Sequence, residues 1–115
     1  MERLDSLYDR WRQIGDLRCR DKALASLLGG SLGKTGKIPR FCSRTSDAQR
    51  AMDRAWAHLE ENAPYRVSCS DSGRKCRVEW WPDEDEHLVT PLFSTEAESR
   101  AFAAFAFTML EIKTE

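Results

Sequence analysis

The stretch GGSLGKT, residues 29–35, contains the glycine, lysine and threonine types of a phosphate-binding loop. A Walker A loop follows G-x-x-x-x-G-K-[ST], because that spacing lets consecutive backbone N–H groups surround the phosphates. Here only three residues separate Gly29 from Gly33, and the segment follows a helical pattern instead of a strand. We therefore interpret it as a helix cap followed by a hinge. Nearby basic residues are the candidate contacts for phosphate or nucleic acid: Lys34, Lys37, Arg40 and Arg44.

Cysteine and histidine are the other residue types here that commonly ligate metals or act as nucleophiles. The four cysteines form no C-x-x-C pair, and His58 and His87 do not lie at zinc-finger spacing from them, so we predict no metal and no cofactor. We expect Cys19 and Cys42 to pack as small hydrophobic residues. The sequence shows no Ser/His/Asp or Cys/His arrangement, and we predict that the protein is not an enzyme.

Four consecutive acids follow a tryptophan and a proline in the stretch WWPDEDEHLV. Such a run is typical of a solvated loop. It could instead bind a basic partner surface, such as one that normally holds nucleic acid, because an exposed, rigid aromatic residue anchors a partner while charge steers its approach. The candidate partner-binding residues are Trp81, Asp83, Glu84, Asp85 and Glu86.

The composition favours one small globular domain. Of the 115 residues, 41% are hydrophobic and 32% charged. No stretch approaches the ~18 uninterrupted apolar residues of a membrane span, and the charged amino terminus is unlike a signal peptide, so we expect a cytoplasmic protein with no membrane partner. Residues 1–50 contain 11 basic and 6 acidic residues, whereas residues 51–115 contain 7 and 13. Such an asymmetry can orient a protein on a charged partner.

The segment YRVSCSDSGRKCRVEWW, residues 65–81, predicts a β-hairpin. It alternates in polarity and breaks at the turn-forming sequence DSGR, which leaves one apolar face and one charged face. The predicted opposed pairs are Tyr65 with Trp80, Arg66 with Glu79, Val67 with Val78, Ser68 with Arg77, and Cys69 with Cys76. Directly opposed cysteines can oxidise, but we predict that Cys69 and Cys76 are reduced in the cell.

Helical patterns flank the hairpin on both sides. The segment SDAQRAMDRAWAHLEEN, residues 46–62, begins with a capping-box pattern and carries an apolar stripe at three- and four-residue steps. An earlier helix starts near Leu4, loosens at Gly15 and resumes over residues 21–28.

The closing helix opens near Thr95 and has two neighbouring apolar stripes. A helix that is apolar over most of its circumference must be buried from two sides. Either the amino-terminal helix or a second copy of the chain would cover it, and both alternatives stay open. The residues expected in this oligomer or arm packing are Phe102, Phe105, Phe107 and Leu110.

Together these elements predict an α+β fold in which a small antiparallel sheet is layered with helices, as in an α/β/α sandwich. The sheet would contain the hairpin 65–81 and a short edge strand near 38–42, where the length and the proline of KIPRFC suit an edge. We expect a single domain overall. Residues 1–37 would form an amino-terminal helical arm and glycine linker, and residues 38–115 the sandwich core.

The order of three stretches resembles the phage ABA sandwich domain family. They are IPRFCSRTSDAQRAMDRAWAHLEE, the strands YRV and RVEWW, and the closing TEAESRAFAAFAFTMLE. In that family a proline, a short polar stretch and an AAW-like helix precede a hairpin and an alanine-rich terminal helix, and Trp56 matches the aromatic residue. Phe41 and Cys42 replace the tyrosine expected after the proline. The resemblance covers residues 38–112 and implies an α/β/α layered fold and a phage origin, without catalytic residues.

These observations favour binding over catalysis. We expect a small phage or prophage-type interaction protein, an anti-CRISPR-like inhibitor of a host defence system that acts by surface occlusion in the cytoplasm of a bacterial host. Its partner would be a host protein or ribonucleoprotein complex, and a homodimer through the C-terminal helix is a further expected assembly. The alternative is a nucleotide- or nucleic-acid-binding module that uses the basic loop 34–44.

Overall fold

The computed structural model describes residues 2–28, 39–56, 65–72, 74–83 and 86–114 of the chain. Its helices and strands, in chain order, are α1 Glu2–Gln13, α2 Leu17–Leu27, α3 Thr45–Trp56, β1 Tyr65–Cys69, β2 Cys76–Asp83, β3 Glu86–Val89 and α4 Glu96–Thr114. The predicted α+β fold, with helices layered on a small antiparallel sheet, is confirmed. None of the described helices combines the length and the apolar character needed to cross a membrane.

A tight turn joins α1 to α2. Gly15 has a φ of 121°, which residues with a side chain rarely adopt, so the predicted break at this glycine is confirmed. Asp16 then caps α2, because its carboxylate accepts a hydrogen bond from the Cys19 backbone N–H at 2.9 Å. This cap starts α2 at Leu17, earlier than the predicted resumption at Asp21.

The hairpin of β1 and β2 has the predicted register. All five predicted pairs are present, namely Tyr65–Trp80, Arg66–Glu79, Val67–Val78, Ser68–Arg77 and Cys69–Cys76. The apolar face is deeply buried on β2, where Cys76, Val78 and Trp80 are at most 1% exposed. On β1, Tyr65 and Cys69 are exposed, because β1 lies at an edge of the sheet.

A third strand that the sequence did not reveal completes the sheet in the order β1-β2-β3. β3 pairs antiparallel with β2, Leu88 lies opposite Trp80, and the register shifts between Trp80 and Asp83. Thr90 extends this pairing, since its hydroxyl accepts from the Val78 N–H at 3.0 Å and its own N–H donates to the Val78 carbonyl at 2.9 Å. The acids in DEDEHLVT interrupt the apolar alternation that marks a strand.

The predicted edge strand near 38–42 is wrong for residues 39–42, the part of it that the structure describes. The backbone N–H groups of Ser43 and Arg44 both donate to the Arg40 carbonyl, at 3.1 and 2.8 Å, so the chain makes a turn that leads into α3. Phe41 and Cys42 are buried in the core. Their apolar side chains anchor this turn, whereas the length and the proline of KIPRFC had suggested an edge strand.

Helix α4 lies at the centre of the fold. It contacts α1, α2 and α3 as well as β1 and β2, and seven consecutive residues, 101–107, are buried. The Glu98 N–H donates to the Thr95 hydroxyl at 3.2 Å, which confirms Thr95 as the residue that opens this helix. The apolar circumference of α4 is therefore covered, along this stretch, by elements of the same chain.

Aromatic side chains join α1 to α4. The Trp11 ring lies 5.8 Å from that of Phe102 and 5.0 Å from that of Phe105, measured between centroids. Tyr8 makes edge-to-face contacts with Phe93 and Phe102, both at 5.8 Å. The first two helices thus share one hydrophobic core with the sheet. The division into residues 1–37 and 38–115 stays a prediction.

Candidate functional site

The acidic run lies at the end of the β2–β3 hairpin. Asp83 is the last residue of β2, Glu86 is the first of β3, and their backbones are paired opposite each other. Glu84 and Asp85 lie outside the described residues. The expected loop is therefore wrong at Asp83 and Glu86, because the backbones of both residues belong to strands.

Trp81 stacks on His87 across the same hairpin. The ring centroids are 4.8 Å apart and the two planes differ by 9°. Trp81 is half-buried, so the prediction of an exposed tryptophan is wrong, and the reason is that His87 covers one of its faces. His87 itself remains accessible, with 46% of its side chain exposed. No role was predicted for His87, because its contact with Trp81 depends on β3, which was not predicted from the sequence.

Glu79 holds this cluster together. Its Oε2 lies 2.8 Å from His87 Nε2, and its Oε1 accepts a hydrogen bond from Arg66 Nε at 2.6 Å. The Glu79 side chain is only 4% exposed, whereas 67% of the Arg66 side chain is accessible. The carboxylate is thus largely withdrawn from solvent, whereas its two partners, Arg66 and His87, stay accessible. We call Arg66, Glu79, Trp81 and His87 the polar face.

The electrostatics of the polar face fix the orientation of its histidine. Hydrogen bonds from Arg66, and then from His87, hold the pKa of Glu79 below its ordinary value of 4.5. Glu79 is therefore ionised near neutral pH. An ionised carboxylate only accepts hydrogen bonds, so His87 must donate from Nε2. This hydrogen bond holds the imidazole in its stacked position on the Trp81 ring.

A second polar cluster joins α3 to α4. Arg100 Nε donates to Glu96 Oε2 at 2.8 Å, and Arg100 Nη1 also donates to Gln49 Oε1. The Gln49 amide in turn donates to Asp53 at 2.8 Å and to the Tyr65 hydroxyl at 3.2 Å. These contacts satisfy groups at the seam between two helices and β1, so we assign the cluster a packing role.

The candidate phosphate contacts are only partly described. Arg40 and Arg44 are exposed at the turn before α3, and the Arg40 backbone N–H donates to the Asp47 carboxylate at 3.0 Å. Asp47 places negative charge beside the two arginines, which makes this end of α3 less attractive to an anion. Lys34 and Lys37 lie outside the described residues, together with the whole of GGSLGKT.

Three of the four residues predicted in oligomer or arm packing lie in the core of one chain. Phe102, Phe105 and Phe107 are 0%, 5% and 5% exposed. Trp11 of α1 covers the first two, and Trp80 of β2 packs against Phe107 with 6.4 Å between ring centroids. The side chain of Leu110 lies outside the described part of the chain. Burial of these three rings needs no second copy, and the homodimer stays a prediction.

Residue types that ligate metals are spread over the described ranges. Among those residues, no three His, Cys, Asp or Glu side chains come together as a metal site. Cys42 is buried as expected, and burial followed by the nearby Asp21 raises the pKa of its thiol. Cys19 is exposed, contrary to expectation, because the first turn of α2 lies at the surface.

An open depression lies between α1 and α2. It is lined by Asp9, Arg12, Gln13 and Arg20. Arg20 is already paired with Glu98, and its guanidinium lies 5.8 Å from the Trp11 ring centroid. The arginine that lines the depression is therefore already paired and largely buried, and the exposed lining consists of Asp9, Arg12 and Gln13.

Comparisons of the chain with protein-family models, curated proteins and solved structures found no match. Function is therefore inferred from two features, the polar face and the acidic end of the β2–β3 hairpin.

Proposed function

We propose that this protein acts by binding a positively charged protein surface through the polar face and the acidic end of the β2–β3 hairpin. The observation that carries the proposal is the stack of Trp81 on His87, braced by Glu79. Chemistry is not part of the proposal. The one carboxylate of the cluster, Glu79, is ionised and already engaged by Arg66 and His87.

A braced aromatic pair suits recognition for an energetic reason. Association loses side-chain freedom at the interface, and this loss costs about 0.5–1.5 kcal/mol for each rotamer-rich side chain that becomes immobilised. Trp81 and His87 are already held in one arrangement before a partner arrives. Tryptophan is also among the residues that most often dominate interface energetics.

The charge of the hairpin end indicates the sign of the partner. Four acids follow Pro82 in sequence, and two of them, Asp83 and Glu86, occupy opposed backbone positions. Like charges directly opposite each other destabilise a hairpin, so this run is unfavourable for the isolated fold. A basic partner surface would relieve the repulsion, and the long-range attraction would accelerate encounter.

We propose, more narrowly, that the partner belongs to a host defence system. The basic surface of this defence effector would be one that normally binds nucleic acid. Occlusion of that surface would inhibit the effector. The support for this narrower proposal is the sequence resemblance of residues 38–112 to phage ABA sandwich domains, together with the small size of the chain. The expected setting is the bacterial cytoplasm.

The test is titration with a fluorescently labelled arginine-rich peptide, followed by polarisation at low and moderate salt. We expect binding to the wild-type protein that weakens with salt. Trp81→Ala should weaken it about thirtyfold, which corresponds to the ~2 kcal/mol lost when a hot-spot residue is truncated. Replacing Asp83 and Glu86 together by lysine should weaken it further.

A matched control variant separates the effect of where the acidic residues lie from the effect of the total net charge. Asp5 and Asp9 are exposed on α1, and their joint replacement by lysine changes the net charge by the same amount as the hairpin pair. This control should bind almost as tightly as the wild type. Equal losses in the two double variants would overturn the proposal. Binding of a single-stranded oligonucleotide in place of the peptide would also overturn it and would support the basic loop 34–44.

A further inference from the structure

Cys69 and Cys76 face each other at the turn end of the β1–β2 hairpin. The backbone N–H and carbonyl of Cys76 both bond to Phe93, at 2.8 Å each, on the side away from β1. Cys69 and Cys76 are therefore a non-hydrogen-bonded pair, the arrangement in which opposed Cα atoms approach to about 4.5 Å. That separation falls within the range of about 4.4–6.8 Å that a disulfide spans.

The two thiols differ in access. Cys76 is 0% exposed, whereas Cys69 is exposed on the edge strand, and both carry thiols in the structure. Cys69 Sγ lies 3.7 Å from Glu96 Oε1 at the start of α4. A reagent from solvent can therefore reach Cys69 before Cys76. Cys76 lies directly opposite, where its thiol can attack a mixed disulfide formed on Cys69.

We propose that Cys69 and Cys76 are a reversible redox site that exchanges with small-molecule disulfides to form a cross-strand disulfide. In the first step the Cys69 thiolate attacks one sulfur of the small disulfide, and one small thiolate leaves. In the second step the Cys76 thiolate attacks Cys69 Sγ, and the second small thiolate leaves. The two protons lost by the cysteines are taken up by the departing thiolates. The cysteine pair is oxidised and the small disulfide is reduced to two thiols.

The surroundings of Cys69 control the rate of the first step. Partial desolvation, then the neighbouring Cys76 and then Glu96, raise the pKa of Cys69 to about 12. The charged groups that face it are Glu96 and, bonded to the other oxygen of that carboxylate, Arg100. Since the thiolate is the attacking species, exchange is slow at neutral pH and accelerates as the pH rises.

The experiment uses the full chain with Cys19 and Cys42 replaced by serine, reduced and then incubated with oxidised glutathione. After alkylation of remaining thiols, intact mass spectrometry should show a species lighter than the reduced protein by two hydrogen atoms, with no alkyl groups and no glutathione. Returning it to excess dithiothreitol should restore two alkylatable thiols. Mixed disulfides alone, or no loss of mass even at alkaline pH, would overturn the proposal.

Two variants test the separate roles of Cys76 and Glu96 in this exchange. Cys76→Ser removes the resolving thiol, so this variant should stop at the mixed disulfide with glutathione on Cys69. Glu96→Gln removes the charge beside Cys69, so its exchange should be several-fold faster at pH 7. The wild-type rate should rise about tenfold per pH unit between pH 7 and pH 9, because a thiol of high pKa is far from fully ionised there. A Cys76→Ser variant that forms no mixed disulfide would contradict Cys69 as the entry point.

Discussion

Arg20 of α2 and Glu98 of α4 form an ion pair in which Arg20 Nη1 lies 2.9 Å from Glu98 Oε2, and only 16% and 13% of the two side chains are exposed. The same carboxylate oxygen accepts a hydrogen bond from Trp11 Nε1 at 3.3 Å, and Arg20 Nε donates to the Trp11 carbonyl at 3.0 Å. One pair of charges therefore links α1, α2 and α4 where the three helices meet.

Glu98→Gln should destabilise the protein by about 2 kcal/mol, because the largely buried Arg20 guanidinium keeps its charge without a counter-charge. The double variant with Arg20→Met should lose less stability than the sum of the two single variants, since neither charge remains. Urea unfolding measures all four members of the cycle. Asp5→Asn on exposed α1 is the control and should stay within about 0.5 kcal/mol of the wild type. Strict additivity would contradict the coupling.

Trp11→Ala should cost about 3–5 kcal/mol, the range for removing a buried aromatic side chain. Trp11 is 0% exposed and contacts Phe102 and Phe105 of α4. Because α1 shares its core with the sheet, circular dichroism and tryptophan fluorescence should report one common transition in both proteins. An early transition confined to helical signal would instead mean that residues 1–37 unfold as a separate arm.

Asp21→Ala should destabilise the protein by about 2 kcal/mol, because a buried acceptor is lost. Asp21 is 1% exposed, and its Oδ1 accepts from the Cys42 backbone N–H at 2.8 Å, while Oδ2 lies 3.1 Å from Arg18 Nη1. Asp21→Asn keeps an acceptor for the Cys42 N–H and should lose less. Thermal unfolding of both variants tests this order. Equal losses would show that the charge on Asp21, and not its hydrogen bond to the turn, matters.

The β1–β2 hairpin was predictable from sequence because its information is local. A turn-forming centre and a period of two residues fix which positions are opposed, and the register of Tyr65 opposite Trp80 follows from counting. The burial of α4 was predictable for a similar reason, since an apolar circumference allows no exposed face. Whether α1 or a second copy covers α4 was left open, because the contact of Trp11 with Phe102 joins residues that are far apart in the chain.

The parts that failed depend on contacts between distant residues. The length and the proline of KIPRFC suggested an edge strand, yet Asp21, far back in the chain, accepts a hydrogen bond from the Cys42 N–H and holds a turn there. β3 was missed because its pairing with β2 overrides acidic residues that disfavour strands. Within the candidate site, the pairing of Arg66 with Glu79 was predicted, but His87 was not, since the register shift after Trp80 cannot be read from spacing.

Glu79→Gln should make the melting temperature of the protein depend less steeply on pH at acidic pH. The pKa of Glu79 is lower in the folded protein than its ordinary value of 4.5, so its ionisation contributes stability that is fully present above that value. This contribution is lost as the pH falls below about 4.5 and through the lowered pKa. Melting temperatures measured from about pH 6 down to pH 3 should therefore fall more steeply for the wild type than for Glu79→Gln.

The two partners of Glu79 supply the control for this profile. Arg66→Met removes the larger cause of the lowered pKa, and His87→Gln removes the second while retaining an amide donor. Arg66→Met should consequently reduce the acid-side slope more than His87→Gln does. Arg66 is 67% exposed, so moderate salt should weaken its effect by screening. Equal decreases of the melting temperature in Glu79→Gln and in the wild type across the acid range would show that the contacts of the polar face do not stabilise the ionised carboxylate.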